Sequence, residues 1–228
     1  MTRIGSKRKP TRRFDDASLE ICILAGGLSE RMGRDKSRLR LGLTTMLGQI
    51  RKTARAAGLP VRVIRRDSIP KCGPLSGIYT ALKSTRANAV LFLACDMPFV
   101  STELIQFIVQ QLEESKQSRL QAVLGKSHPG ICLFVRSRSR AGFPFVLPRG
   151  AIEIVDHQIQ TGDYSLQGLA TVIRATLIPL RHRLLRQLFN VNTPEDLAVI
   201  RVRRDAEEAQ TRGRAKKFAR AAQFERTC

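Results

Sequence analysis

The chain has 228 residues, 43% of them hydrophobic, which is enough for a sizeable core and excludes a wholly disordered protein. No apolar run approaches the ~20 residues needed to cross a bilayer, and the basic start, Met1–Arg13, leads into no apolar segment of the kind a secretion signal carries. The expected compartment is therefore the cytoplasm. The formal charge of +21 is unevenly spread: residues 1–13 carry six basic and no acidic side chains, and residues 201–228 carry nine basic against four acidic. Such ends can bind nucleic acid. Aromatic residues are only 5% and Trp is absent, which leaves little for base stacking and disfavours a nucleic-acid partner. The tails read instead as solvated extensions.

Leu19–Ala25 is a short apolar run with β-branched residues that stops at Gly26-Gly27, the pattern of a buried strand. A Gly-rich, charged loop follows to about Arg38. Met46, Leu47, Ile50 and Ala54 have helical spacing, and Gly58 with Pro60 ends that helix. Val61–Ile64 is a second strand. Gly73-Pro74 opens the next helix, with proline in the first turn where its missing N–H costs nothing. Ala89–Ala94 is the clearest strand, and it ends at Cys95-Asp96-Met97-Pro98. Ser101 caps a long helix with Leu104, Ile105, Ile108 and Leu112 on its apolar stripe. Gln121–Leu124 and Ile131–Val135 are expected strands, and 137–150, rich in Arg, Gly and Pro, is expected to be irregular. Helices at Ala151–Ile159 and Leu166–Val172 and strands at Ala175–Leu180 and Leu188–Val191 follow. Thr193 caps a final helix with acids in its first turn.

Strands alternating with helices predict an α/β fold: three layers, a mostly parallel sheet, Rossmann-like. The expected organisation is a basic extension over 1–18, one domain over 19–200 and a basic helix or tail over 201–228. The five cysteines form no C-x-x-C pair, and Cys22, Cys95 and Cys132 lie in apolar runs, so reduced buried thiols are expected.

Ligands of such a sheet bind beyond the carboxyl ends of its strands. Two segments fall there. Ala25–Lys36 combines glycines that let backbone N–H groups approach phosphates with the cations Arg31 and Lys36. It is neither a Walker A loop nor a G-x-G-x-x-G turn, because five residues separate Gly27 from Gly33 and Lys36 comes three later. Glycines alone would suggest an ordinary surface turn; Ser29, Arg31 and Lys36 favour a phosphate loop. The second segment places Asp96 at a strand end, where its carboxylate is either a Mg²⁺ ligand or the cap of the turn before a helix.

The run Leu24-Ala-Gly-Gly-Leu-Ser-Glu-Arg-Met-Gly-Arg-Asp-Lys36 resembles the signature of molybdenum cofactor guanylyltransferases. Arg66-Asp67 with Gly73-Pro-Leu-Ser-Gly-Ile78 resembles their second motif, Cys95-Asp-Met-Pro-Phe99 the third, and Asn190-Val-Asn-Thr-Pro-Glu-Asp-Leu197 the fourth. The resemblance implies transfer of GMP from GTP to the phosphate of a molybdopterin-type acceptor, with Mg²⁺ as cofactor. It places Leu24, Ala25, Gly26 and Gly27 along the nucleotide, Lys36 on phosphate, Asp67 near the guanine and Asp96 on the metal. Lys36, Arg31 and Asp96 would be the catalytic groups. Other molybdenum cofactor biosynthesis proteins and recipient molybdoenzymes are the implied partners. The chain departs from the family's pattern at Gly42–Leu47 and at Pro129–Phe134. The nearest rival is the same chemistry with CTP or another phosphorylated acceptor; related cytidylyltransferases more typically carry Ala-Ala-Gly where this chain has Ala25-Gly26-Gly27. A basic nucleic-acid-binding protein is the rival from another class.

Overall fold

The computed structural model describes residues 19–26, 39–121, 130–137, 139–193 and 195–200. The two basic ends and the segment carrying Gly27, Arg31 and Lys36 lie outside the described residues. In chain order the elements are β1 (Leu19–Leu24), β2 (Arg40–Leu41), β3 (Thr44–Thr45), α1 (Met46–Ala56), β4 (Val61–Ile64), α2 (Gly73–Ser84) and β5 (Ala89–Ala94). Then come α3 (Thr102–Gln121), β6 (Leu133–Ser137), β7 (Arg140–Pro148), α4 (Ile152–Gln160), α5 (Leu166–Val172), β8 (Thr176–Pro179) and α6 (His182–Leu185). Residues 195–200 are helical.

Six strands form one sheet in the order β4-β1-β5-β7-β6-β8. β4, β1 and β5 run parallel, β7 runs antiparallel to both β5 and β6, and β8 is parallel to β6. Alternation along the strands sends side chains to two faces. Ile21, Ile23, Leu91, Leu93 and Val146 pack with Leu47, Ile50, Leu104 and Ile108 under α1 and α3. Cys22, Val90, Phe92, Phe134, Phe145 and Leu147 pack with Leu75, Ile78, Val155 and Leu169 under α2, α4 and α5. The result is the three-layer, mostly parallel α/β sheet that the sequence pattern predicts. On the second face Phe145 stacks between Phe92 and Phe134, with ring centroids 4.9 and 4.5 Å apart, so one aromatic row crosses β5, β7 and β6.

Local signals explain most boundaries. The hydroxyl of Thr45 accepts from Gly48 N to cap α1, and Ser101 accepts from Leu104 N at the start of α3. Gly58, at φ +79, sits just past the end of α1 and takes a left-handed conformation open to glycine. Cys22, Cys72, Cys95 and Cys132 are buried free thiols, and burial pushes the Cys22 thiol up to about 12.

Three expectations are corrected. Residues 137–150 are not irregular: they hold β7, the longest strand of the sheet. Pro144 is accommodated because the β6–β7 register shifts between Phe134 and Val135, whose partners are Phe145 and Gly142, so Phe143 and Pro144 sit in the irregularity and no ladder bond is asked of the proline. Leu188–Val191 is not a strand; it is the end of a 3-10 turn followed by extended chain. The expected strand at Gln121 starts on the last residue of α3, and its remainder lies outside the described residues. Two small elements, the β2–β3 hairpin and α6, gave too short a pattern to be read from sequence.

Candidate functional site

The carboxyl ends of β4, β1 and β5 lie side by side at one edge of the sheet. Ala25 N donates to Ile64 O at 2.8 Å, and Cys95 N donates to Leu24 O at 3.1 Å, so the exit of β1 is held between those of its neighbours. That clamp brings Leu24, Ala25 and Gly26 together with the chain that leads to Asp67 and with Asp96.

Asp67 lies on the β4–α2 connection and occupies a slot made by two glycines. A Cβ on Gly26 would come within 3.2 Å of Asp67 Oδ1 and 3.3 Å of the Arg65 carbonyl oxygen. A Cβ on Gly77, one turn into α2, would meet Leu24 Cδ2 at 3.2 Å and Asp67 Oδ1 at 3.4 Å. The missing side chains are thus what admits the carboxylate to the strand end. Ser68 N donates to Thr80 Oγ1 at 2.8 Å, which ties the connection to α2. Partial burial raises the Asp67 carboxyl above its ordinary value, because desolvation disfavours the charged form.

Asp96 is half-buried, with its Oδ1 shielded from solvent. Its backbone carbonyl accepts from Val191 N at 2.9 Å, which brings the fourth motif against the third although 95 positions separate those two residues. The fourth motif is itself closed by reciprocal capping: Asn192 N and Thr193 N donate to Asp196 Oδ2 at 2.8 and 2.9 Å, and Asp196 N donates to Thr193 Oγ1 at 3.2 Å. Phe99 and Phe189 meet edge-on with centroids 6.3 Å apart. They pack against Leu41, Met46, Val191, Leu197 and Ile200, which fastens the hairpin and the final helix to the site. Asn190 and Asn192 stay exposed.

Beside Asp96 a groove of about 1410 Å³ opens between α1, the start of α3 and the chain after β8, with Gln49, Thr53, Phe99, Ser101, Arg186 and Phe189 among its walls. Because β6 and β8 run in the same direction as β5, Ser137 and the chain leaving Pro179 reach this same edge of the sheet. The groove therefore runs from α1, which packs on β1 and β4, toward the ends of β6 and β8, whereas Gly26 and Asp67 stand at the ends of β1 and β4. A smaller cavity of about 360 Å³, lined by Arg174, Thr176 and Cys132, lies at the opposite edge where β6 and β8 begin.

A model of the MobA-like NTP transferase domain family matches residues 21–182. The chain belongs to this family. As a MobA-like nucleotidyltransferase it is an enzyme of the transferase class. Among curated relatives, the molybdenum cofactor guanylyltransferase of Rhizobium leguminosarum bv. trifolii is 31% identical over 193 residues, covering 77% of this chain and 88% of the relative. A probable molybdenum cofactor guanylyltransferase of Carboxydothermus hydrogenoformans is 28% identical, covering 78% of this chain and 93% of the relative. Among solved structures, molybdopterin-guanine dinucleotide biosynthesis protein A from Archaeoglobus fulgidus shares the fold with a TM-score of 0.61 at 17% identity, covering 82% of this chain and 99% of that one. A 4-diphosphocytidyl-2C-methyl-D-erythritol synthase from Anaerococcus prevotii matches with a TM-score of 0.58 at 10% identity, covering 84% and 100%. Nucleotidyltransferases of this family use a divalent metal ion.

In this transferase the structure brings Leu24, Ala25, Gly26, Asp67 and Asp96 to one edge; Gly27, Arg31 and Lys36 lie outside the described residues. Among the described residues no group of three or more His, Cys, Asp or Glu could hold a metal by itself, and no helix is long and apolar enough to cross a membrane. Sequence reading missed the bond from Val191 to Asp96 and the turn at Gly162–Ser165. The second carries a readable signal, Gly-Asp-x-Ser before an apolar helix.

Proposed function

We propose that this protein transfers GMP from GTP to the terminal phosphate of a molybdopterin-type acceptor, forming a guanine dinucleotide and releasing pyrophosphate. The observation that carries the reading is the meeting of Leu24–Gly26, Asp67 and Asp96 at one sheet edge in a chain of this family. The groove that extends along that edge toward β6 and β8 supports the reading, since it has room for an acceptor.

The reaction is an in-line displacement. An acceptor phosphate oxygen forms a bond to the α-phosphorus of GTP while the bond to the bridging α,β-oxygen breaks, and that oxygen leaves with pyrophosphate. The attacking oxygen is already ionised at neutral pH, so no strong general base is required, in keeping with the absence of histidine from the four motifs. His157 and His182 are exposed, and His128 lies outside the described residues. The chief obstacle is the mutual repulsion of two anions. Lys36 and Arg31 are proposed to offset charge on the phosphates and the leaving group. Leu24, Ala25, Gly26 and Gly27 are proposed to line the nucleotide. Asp96 is proposed as the protein ligand of Mg²⁺, since one carboxylate completed by substrate phosphates is a donor set that suits this ion. When bound, Mg²⁺ supplies Lewis-acid polarisation of the phosphate oxygens.

Asp67 is proposed to accept the N–H donors of guanine. Such bonds need the ionised carboxylate, and burial holds its proton more tightly than usual. The sign follows: GTP binds best above the raised pKa and loses affinity as pH falls through it. KM for GTP should therefore rise on acidification while KM for the acceptor changes less. In Asp67→Asn the GTP term should be flat in pH and weaker by ~10- to 100-fold, the range for one hydrogen bond to a charged group. Steady-state kinetics over a pH series reads both effects.

The function is tested by pyrophosphate release. Purified protein and Mg²⁺ are supplied with each of the four nucleoside triphosphates, with and without molybdopterin. Release with GTP alone, dependent on the pterin, is the expected result. Release with CTP would overturn the guanine assignment and keep the chemistry; silence with all four would overturn the acceptor.

A further inference from the structure

The chain after β8 builds one wall of the groove beside Asp96. Residues 182–188, α6 and the 3-10 turn that follows it, form a short helical run in which side chains four apart act in pairs. Leu184 is buried and Leu188 partly buried in the core under α1 and α3, which seats the run on the sheet. Arg183 and Gln187 tie it to the start of α3. The Arg183 guanidinium donates to Glu103 Oε2, and Gln187 Oε1 accepts from Ser101 N at 2.9 Å. His182 and Arg186 line the groove.

This wall is rich in donors. Arg186 is the one permanent cation among the described residues that line the groove, and none of those residues is an aspartate or a glutamate. Unlike Arg183, its guanidinium has no ion-pair or hydrogen-bond partner among the described residues. Gln187 adds to it. Because its Oε1 is taken by a backbone N–H, the amide presents its NH2 group elsewhere, and that group has no acceptor among the described residues. The groove reaches the reacting edge. Pro98 and Phe99, which closely follow Asp96, stand in its walls. So does Phe189, which meets Phe99 edge-on just before Val191 N donates to the Asp96 carbonyl. An unpaired guanidinium thus stands in a carboxylate-free groove that opens onto the proposed metal ligand.

We propose that Arg186 is the acceptor-phosphate clamp of the transferase: its guanidinium holds the phosphate monoester of the acceptor in the groove, and the Gln187 amide donates beside it. The inference rests on the GMP-transfer reading and names the residue that recognises the second substrate. In that reading Lys36 and Arg31 serve the triphosphate, which leaves the acceptor's own dianion without a counter-charge. A guanidinium suits a phosphate better than an ammonium does, because its fork donates two parallel N–H bonds and fixes orientation as well as charge. A phosphate held this way keeps an oxygen free for the α-phosphorus of GTP, and its repulsion from the triphosphate is reduced before the two meet. Arg186 moves no proton and forms no covalent bond in the reaction.

The test uses the full-length protein with molybdopterin and with the dephosphorylated pterin. Binding is read by pterin fluorescence, and transfer by steady-state kinetics with Mg²⁺ and GTP. Wild type should bind the phosphorylated pterin more tightly. Arg186→Met should lose that preference, with a KM for molybdopterin raised about 10- to 100-fold, the range for a hydrogen bond to a charged group, and a KM for GTP within about twofold of wild type. Its melting temperature should not change, because the lost guanidinium has no partner among the described residues. Arg186→Lys keeps the charge without the fork and should fall in between. Gln187→Glu still accepts from Ser101 N but sets a negative charge beside the phosphate, so it should weaken molybdopterin and not the dephosphorylated pterin. A preference for the phosphate that is absent from wild type, or that survives in Arg186→Met, would overturn the clamp and leave the acceptor reading to the transfer assay. So would a loss shared equally by both pterins, which is what a merely structural wall would give. Wild type that binds neither pterin would overturn the acceptor reading and this inference with it.

Discussion

Asp96→Ala should lower the rate of GMP transfer by at least ~100-fold, the loss seen when one preorganised contact to developing charge is removed. The aspartate contributes to the edge in two separable ways. Its backbone carbonyl takes the bond from Val191 N, and that bond survives any side-chain replacement. Its carboxylate is the group proposed to hold the metal ion. Loss of turnover should therefore come with little change in melting temperature, because the fourth motif stays docked. Asp96→Asn keeps the shape and removes the charge, and it should fall nearly as far. The comparison that decides is turnover against Mg²⁺ concentration: a half-saturating Mg²⁺ concentration raised in the variants would place the carboxylate on the ion, whereas full turnover in Asp96→Ala would remove it from the site altogether.

Phe145→Ala should destabilise the protein by about 3–5 kcal/mol, the range for emptying a buried aromatic position. Phe145 is fully buried and is the middle ring of the row that joins β5, β7 and β6. Its register partners are Phe92 on one side and Phe134 on the other, and Phe143 also touches it with centroids 4.8 Å apart. Removing it opens a hole on the β5–β7 seam, along which the parallel half of the sheet is joined to the other half. A domain's total stability is of order 5–15 kcal/mol, so the variant should unfold at much lower urea. Phe145→Leu keeps more of the volume and should cost less. Equilibrium unfolding midpoints of the three proteins measure the series; a shift below about 1 kcal/mol for Phe145→Ala would mean that the row does not hold the halves together.

The parts of the fold that depend on near neighbours in sequence were legible. Leu19–Leu24 and Ala89–Ala94 read as buried strands because both of their faces are covered, so apolar residues run without alternation. Ser101, Thr193, Gly58 and Pro74 mark helix ends through bonds or backbone angles made within a few residues. β7 was not legible. Its Arg, Gly and Pro content opposes a strand, and it forms one because β5 and β6 flank it and a register shift absorbs Pro144. Leu188–Val191 shows the converse: an apolar run with strand composition joins no ladder and serves as the strap that brings Val191 to Asp96.

The site divides along the same line. By itself the sequence determined which chemistry-bearing residues exist, in what order, and that Gly26 and Asp96 stand at the ends of apolar strands. It could supply these because motif spacing and strand exits are local properties. Only the tertiary structure decided that Asp67 enters a slot between Gly26 and Gly77, that Val191 closes on Asp96, and that Gln187 ties the chain after β8 to Ser101. Each of those contacts joins segments that are far apart in the chain, and its geometry is set by strand order, register and helix packing. None of these is written in any single stretch of residues.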